Sequence, residues 1–161
     1  VRYQDESLFS YLPIDNTHKN QILFKSISPA LIEDNLRDKA FSWSKKIIKS
    51  LEYIGVICVE FFIDENNKLY VNELAPRVHN SGHLTIESYN ISQFENHIRA
   101  VCNLEKIKPQ IQYEAEMINI LGNDISKYRN VQIETNNFFD DYFKNEPKKG
   151  RKMGHLTKIK V

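Results

Sequence analysis

The sequence contains no long apolar run. None approaches the ~20 residues that a membrane-spanning helix requires, so a helical membrane protein is excluded. No secretory signal pattern is visible at the start. Charge of one sign is also missing. The 161 residues carry 22 lysines and arginines against 21 aspartates and glutamates, a formal net charge of +1. That balance leaves no general electrostatic case for binding nucleic acid or an anionic membrane. Cysteine is scarce: Cys58 and Cys102, both in apolar surroundings, read as buried thiols in a reducing, cytoplasmic compartment and not as a disulfide. In that setting Asn90-Ile91-Ser92 is a chance match to a glycosylation signal. There is no internal repeat and no low-complexity linker. An initiating methionine is absent as well. The chain starts at Val1 and enters strand-like sequence directly, which is expected of a piece of a longer protein, either cleaved or half of a split polypeptide.

What is present suffices for a core. Apolar residues make up 41% of the chain, enough for one domain or one domain with a small appendage. Residues 1–29 read as β structure. The runs Leu8–Tyr11 and Gln21–Ile27 are β-prone, and Pro13, Asp15, Asn16 and Asn20 supply turn chemistry between them. From Ala30 the spacing of Ile32, Leu36, Ala40, Trp43, Ile47 and Leu51 predicts an amphipathic helix. Gly55–Asp64 and Leu69–Pro76 predict two strands joined by a hairpin turn at Glu65–Lys68. A loop is expected from Pro76 to about Glu87. Ser92-Gln93-Phe94-Glu95 is a capping box opening a helix whose apolar side is Phe94, Ile98 and Val101. After Pro109, Glu116–Leu121 and His155–Val161 read as strands of a small C-terminal unit, with an aromatic stretch at 136–144 and a basic turn at 144–155.

The chemistry concentrates in Asn72–His83, NELAPRVHNSGH, where polar groups leave a strand for a loop. If Glu65 faces Lys68 across the turn, Glu60 falls directly opposite Glu73. Like charges so placed repel. Either one carboxylate is neutralised by Arg77, a lysine or a proton, or the pair holds a divalent cation with the Asn72 amide beside it. Arg77, His79, Asn80 and Ser81 form either a self-bonded loop or a donor cluster for a phosphate or carboxylate. Lys144, Lys148, Lys149, Arg151 and Lys152 are either a solvated loop or a phosphate clamp. His18 on its own reads as a surface histidine.

Taken together, these segments resemble one family. NELAPRVHNSGH, SQFENHIRA, GRKMGH, YLPIDNTH and EMINILG, in this order save that GRKMGH comes last and YLPIDNTH first, are similar to motifs of the 5-(carboxyamino)imidazole ribonucleotide synthases. These are ATP-grasp enzymes of purine biosynthesis. The resemblance runs from Arg2 to His155 and implies a mixed α/β (α+β) fold. Residues 1–108 would be the C-terminal half of an ATP-grasp domain, and 109–161 a small β-rich C-terminal domain. It implies ATP- and bicarbonate-dependent carboxylation of 5-aminoimidazole ribonucleotide through carboxyphosphate. Glu60 and Glu73 would hold magnesium or manganese. His18, Asn72 and Glu73 would lie at ATP. Arg77 and His79 would be catalytic, with Asn80 and Ser81 beside them at the substrate. Lys144, Arg151 and Lys152 would grip the ribonucleotide phosphate. A homodimer is expected, with neither nucleic acid nor membrane as partner. The family's N-terminal part is not in this sequence, so it is expected in cis or as a second chain, and the chain alone is expected to be inactive. CNLEKIKP also departs from the family's usual Leu-Pro-Leu-Gly turn. Two rival readings are a formate-dependent transformylase, which tends to carry Asp-Thr where Asn80-Ser81 stands, and an inactive half serving as a binding module.

Overall fold

The computed structural model describes residues 1–129 and 131–161. Among them the strands are β1 (Asp15–Lys19), β2 (Ile22–Ser28), β3 (Cys58–Ile63), β4 (Leu69–Ala75), β5 (Glu114–Leu121), β6 (Asn137–Asp141) and β7 (Lys152–Lys160). The α-helices are α1 (Asp34–Ser50), α2 (Thr85–Ser88) and α3 (Gln93–Val101). The fold is mixed α/β, as the sequence implies. One antiparallel sheet has the order β1-β2-β5-β7-β6, and β3 and β4 form a separate hairpin. Lys25 faces Ile118 and Ser28 faces Ala115, so strand pairing crosses the division drawn at residue 108/109. Leu84, Tyr89, Ala115, Met117 and Ile159 pack together against this sheet.

Leu8–Tyr11 does not form a strand; Leu8 makes only an isolated bridge to Arg2. The strand is instead Asp15–Lys19, whose residues have turn propensity. Pairing to β2 overrides that propensity, and Asn16 Oδ1 accepts a hydrogen bond from Ser26 Oγ at 2.8 Å. The turn itself falls at Asn20 and Gln21, both at positive φ, as a tight hairpin requires. Helix α1 begins at Asp34 and not at Ala30, because Glu33 is extended and acts as N-cap. Its Leu36 and Ala40 pack with Leu69, Trp43 and Phe61, which seats the β3–β4 hairpin on the helix.

Helix α3 is capped as expected, Ser92 Oγ accepting from the Glu95 N–H at 3.2 Å. Its buried side is not the expected one. Phe94, Ile98 and Val101 are exposed, while Gln93, Asn96 and Ala100 are buried. A polar helix face can be buried when its amides are satisfied. Asn96 Oδ1 accepts from the Tyr3 hydroxyl at 2.5 Å, and Asn96 Nδ2 donates to the Tyr11 hydroxyl at 3.1 Å. Both cysteines are free. Cys58 is half-buried, but Cys102, at the end of α3, is exposed and not buried as its neighbours suggest. Among the described residues no helix is long and apolar enough to cross a membrane.

Candidate active site

The hairpin turn closes one residue earlier than its composition suggests. Asp64 Oδ1 accepts from the N–H groups of Asn66 and Lys68 at 2.9 and 2.8 Å, and the Asp64 N–H donates to the Lys68 carbonyl. Phe61 therefore faces Val71, not Asn72. Further along, Val59 faces Leu74 and Cys58 faces Ala75. One residue, Glu60, thus stands against two, Asn72 and Glu73. This is a β-bulge, a feature that often re-aims side chains beside sites. The bulge restores the juxtaposition of Glu60 with Glu73 and adds Asn72, whose amide nitrogen is 3.4 Å from Glu60 Oε2.

Strand alternation then sorts the side chains. Phe61 packs towards Trp43 of α1, while Cys58 and Glu60 share the other face. A cleft of about 520 Å³ is lined by His18, Lys45, Cys58, Glu60, His79 and Ser81 among others.

The loop after β4 brings His79 onto Glu60, with Nε2 3.2 Å from Oε1. The other ring nitrogen, Nδ1, is 2.9 Å from Ser81 Oγ. Burial lowers the imidazole pKa, and the Glu60 charge only partly opposes this. The ring is therefore held largely neutral at physiological pH. The loop backbone is clamped from α3. Gln93 Oε1 accepts from the His79 N–H at 2.9 Å, and Gln93 Nε2 donates to the His79 carbonyl at 2.7 Å. Gln93 Nε2 also lies 2.9 Å from His83 Nδ1. A Cβ on Gly82 would sit 2.6 Å from Gln93 Oε1, so only glycine allows this approach. Arg77 is exposed, its guanidinium donating to the Val78 carbonyl at 3.0 Å. Asn80 Oδ1 is buried without a hydrogen-bond partner among the described residues.

The last strand closes the site electrostatically. Burial lowers the Lys152 pKa. Glu60 opposes that shift, while Lys144 and Arg77 add to it, so these four charges share one field. Lys144 Nζ donates to the Lys152 carbonyl at 2.6 Å and lies 5.1 Å from the Tyr142 ring. Arg151 is exposed and turned to the Glu146 carbonyl at 3.0 Å. His18 lies on β1 at the cleft rim. The fold thus gathers Glu60, Asn72, Glu73, Arg77, His79, Ser81, Lys144 and Lys152, and leaves Arg151 directed outward.

Two features escape sequence reading. Gln93 looks like an interior residue of a capping box, and nothing local marks it as the clamp of His79. The second is a buried polar group behind the loop. Tyr142 OH is 2.9 Å from His155 Nδ1, and His155 Nε2 is 3.2 Å from Asp140 Oδ2. The His83 ring is tilted against that of His155, with centroids 5.4 Å apart, and Glu87 lies close by.

Burial dominates the titration here. It raises Glu87 from 4.5 to about 7, aided by Asp140 and opposed by His155 and the Thr157 hydroxyl. It lowers His83 from 6.5 to about 4, aided by His155 and opposed by Asp140. The stability contribution of Glu87 is complete below 4.5 and is lost as pH rises through 7. That of His83 runs oppositely, absent below 4 and complete above 6.5. The two slopes offset each other between pH 4.5 and 6.5. In Glu87→Gln the melting temperature should therefore climb with pH across this window more steeply than in the parent, as scanning calorimetry would show. An equal or shallower slope would contradict the assignment.

Comparison with known proteins finds relatives of this chain. Residues 1–94 match the model of the ATP-grasp domain, and residues 115–160 match that of the phosphoribosylaminoimidazole carboxylase C-terminal domain. The N5-carboxyaminoimidazole ribonucleotide synthase of Staphylococcus saprophyticus is 46% identical over 152 residues, covering 92% of this chain and 40% of that protein. The enzyme of the same name from Bacillus subtilis is 40% identical over 161 residues, covering 99% of this chain and 42% of the relative. A solved ADP complex of an N5-carboxyaminoimidazole ribonucleotide synthetase superposes with a TM-score of 0.94 at 38% identity, over 99% of this chain and 43% of that one. The Aspergillus clavatus synthase, solved with ADP and 5-aminoimidazole ribonucleotide, superposes at 0.92 with 30% identity, over 99% of this chain and 45% of that one. The chain spans about two fifths of the length of the curated relatives it matches.

Proposed function

We propose, from the premise that this chain belongs to the ATP-grasp family, that it supplies the cation-holding and substrate-holding part of a carbon–nitrogen ligase. The reaction is ATP- and bicarbonate-dependent carboxylation of 5-aminoimidazole ribonucleotide. A bicarbonate oxygen attacks the γ-phosphorus of ATP and releases ADP, giving carboxyphosphate. The substrate amino group then attacks the carboxyl carbon, phosphate leaves, and the amine loses a proton. The observation that carries this reading is the bulge that sets Glu60 against Asn72 and Glu73, with His79 on Glu60 and Lys152 in the same field.

Glu60 and Glu73 offer hard oxygen donors for magnesium or manganese, with the Asn72 amide beside them. When bound, such an ion offsets phosphate charge. The residues of this chain do the rest. Arg77 presents guanidinium charge to the transferring phosphoryl group or to carboxyphosphate. His79, neutral and fixed through Ser81 at Nδ1, donates its Nε2–H to Glu60 and faces the substrate, and Asn80 orients substrate next to it. His18 borders the nucleotide. Lys144, Lys152 and Arg151 hold the ribonucleotide phosphate, Arg151 by swinging from the Glu146 carbonyl. The reading divides the chain into units 1–108 and 109–161 sharing one sheet, and includes a cytoplasmic location and a homodimer.

The test is ATP turnover by material carrying this chain, purified natively from its source. ADP formation should require both 5-aminoimidazole ribonucleotide and bicarbonate, and formate should not replace bicarbonate. Turnover with formate would mark a transformylase. Tight ligand binding without turnover would mark a binding module. In the active material, Lys144→Ala and Arg151→Ala should each raise KM for the ribonucleotide and leave KM for ATP alone. Losing a charge-assisted hydrogen bond of about 1.5–3 kcal/mol corresponds to about 10- to 150-fold.

A further inference from the structure

The Glu60 neighbourhood contains a second donor set, which adds to Glu60 and His79 a thiol that the ligase reading does not use. Cys58 Sγ, one Glu60 carboxylate oxygen and one His79 ring nitrogen all lie within 4.8 Å of one another. Cys58 and Glu60 are two residues apart on one face of β3, and His79 reaches them from the loop after β4. We infer that Cys58, Glu60 and His79 form a tridentate site for a thiophilic divalent cation of the zinc class, with the fourth position open to the cleft.

Three arguments support this. The donor types are right: thiolate, imidazole and carboxylate are the ligands zinc prefers, whereas magnesium has no affinity for sulfur. The spacing is close to right. Tetrahedral zinc with bonds of about 2.0–2.3 Å separates its ligand atoms by roughly 3.3–3.8 Å, and His79 Nε2 is already 3.2 Å from Glu60 Oε1. The ligands also carry supports of the kind metal sites use. Ser81 Oγ engages His79 Nδ1 at 2.9 Å, leaving Nε2 for the ion, and Asn72 Nδ2 approaches the far Glu60 oxygen at 3.4 Å.

The thiol sets the conditions. Zinc takes the thiolate, so binding expels the Cys58 proton, affinity rises with pH and one proton is released per ion. An ion held here would occupy Glu60 and exclude magnesium from that carboxylate. This consequence rests on the function proposed above; the binding itself does not.

The experiment is cobalt(II) titration of the reduced, metal-free chain, followed by zinc. The parent should develop a sulfur-to-cobalt charge-transfer band in the near ultraviolet at one ion per chain, and equimolar zinc should bleach it. Cys58→Ser should abolish the band, and Cys102→Ser should retain it. Should Cys58→Ser fail to fold by circular dichroism, His79→Gln keeps the thiol, and it should weaken cobalt affinity more than tenfold. Ser81→Ala should weaken it by about tenfold, the usual cost of losing a ligand's support. A parent without the band, a band that follows Cys102, or an affinity unchanged in His79→Gln would each overturn the site. These readouts need no turnover, so a failed ligase reading would leave them standing.

Discussion

Glu73→Gln should lower magnesium-dependent ATP hydrolysis by about a thousandfold, the upper range for removing one preorganised electrostatic partner of a phosphoryl transfer, while barely changing stability. Glu73 is exposed on β4, on the two-residue side of the bulge. Among the described residues it takes part in no ion pair, so the rest of the fold does not depend on it. Exposed substitutions of this kind usually stay within about 0.5 kcal/mol. The amide keeps size and shape and removes only the charge a cation would use. Glu60→Gln is the less clean variant. Its carboxylate also accepts from Asn72 and faces His79, so it should lose activity and loosen the loop together. The decisive measurement is ADP release against magnesium concentration in natively purified material. Hydrolysis retained by Glu73→Gln at parent magnesium dependence would remove Glu73 from the cation site.

The carboxylate pair was legible in the sequence for a partly fortuitous reason. The register drawn from a Glu65–Lys68 turn places Glu60 opposite Glu73. The actual turn is set by Asp64, whose side chain binds two backbone N–H groups, and it shifts the near end of the hairpin by one residue. The bulge shifts it back. A period-two pattern carries no signal for either step, because both depend on local hydrogen bonds. The α3 face was misread for a related reason. Apolar periodicity picks out Phe94, Ile98 and Val101, but the fold buries Gln93 and Asn96, whose partners lie far away in sequence. Cys102 shows the same limit: apolar neighbours in sequence do not bury a residue at the end of an exposed stripe. The long amphipathic helix, the capping box at Ser92 and the strand read at Glu116–Leu121, which runs from Glu114 in the structure, were legible because each rests on contacts within one segment or one strong pattern.

Gln93 is the long-range contact with the most direct consequence for the site. Gln93→Leu should cost about 2–4 kcal/mol, because it leaves the half-buried His79 N–H and carbonyl unpaired at about 1–2 kcal/mol each, the lower part of the range for unpaired groups. For a chain of this size that is a fall of about 5–15 °C in melting temperature. The variant should also lose about a hundredfold in kcat, the scale expected when a reacting group shifts by about 1 Å. Gln93 is a positioning residue, since it touches His79 and His83 through the loop and no part of the proposed substrate. The distinguishing readout is therefore coupling with Gly82. Gly82→Ala places a methyl group 2.6 Å from Gln93 Oε1, so in the parent it must displace the clamp. In a Gln93→Ala background that collision is gone, and the second substitution should cost at least 1 kcal/mol less than it does alone, a coupling expected of residues in contact. Thermal unfolding of the two single variants and the double variant measures this directly. Additive losses, or a Gln93→Leu variant as stable and active as the parent, would show that the loop holds His79 in place without α3.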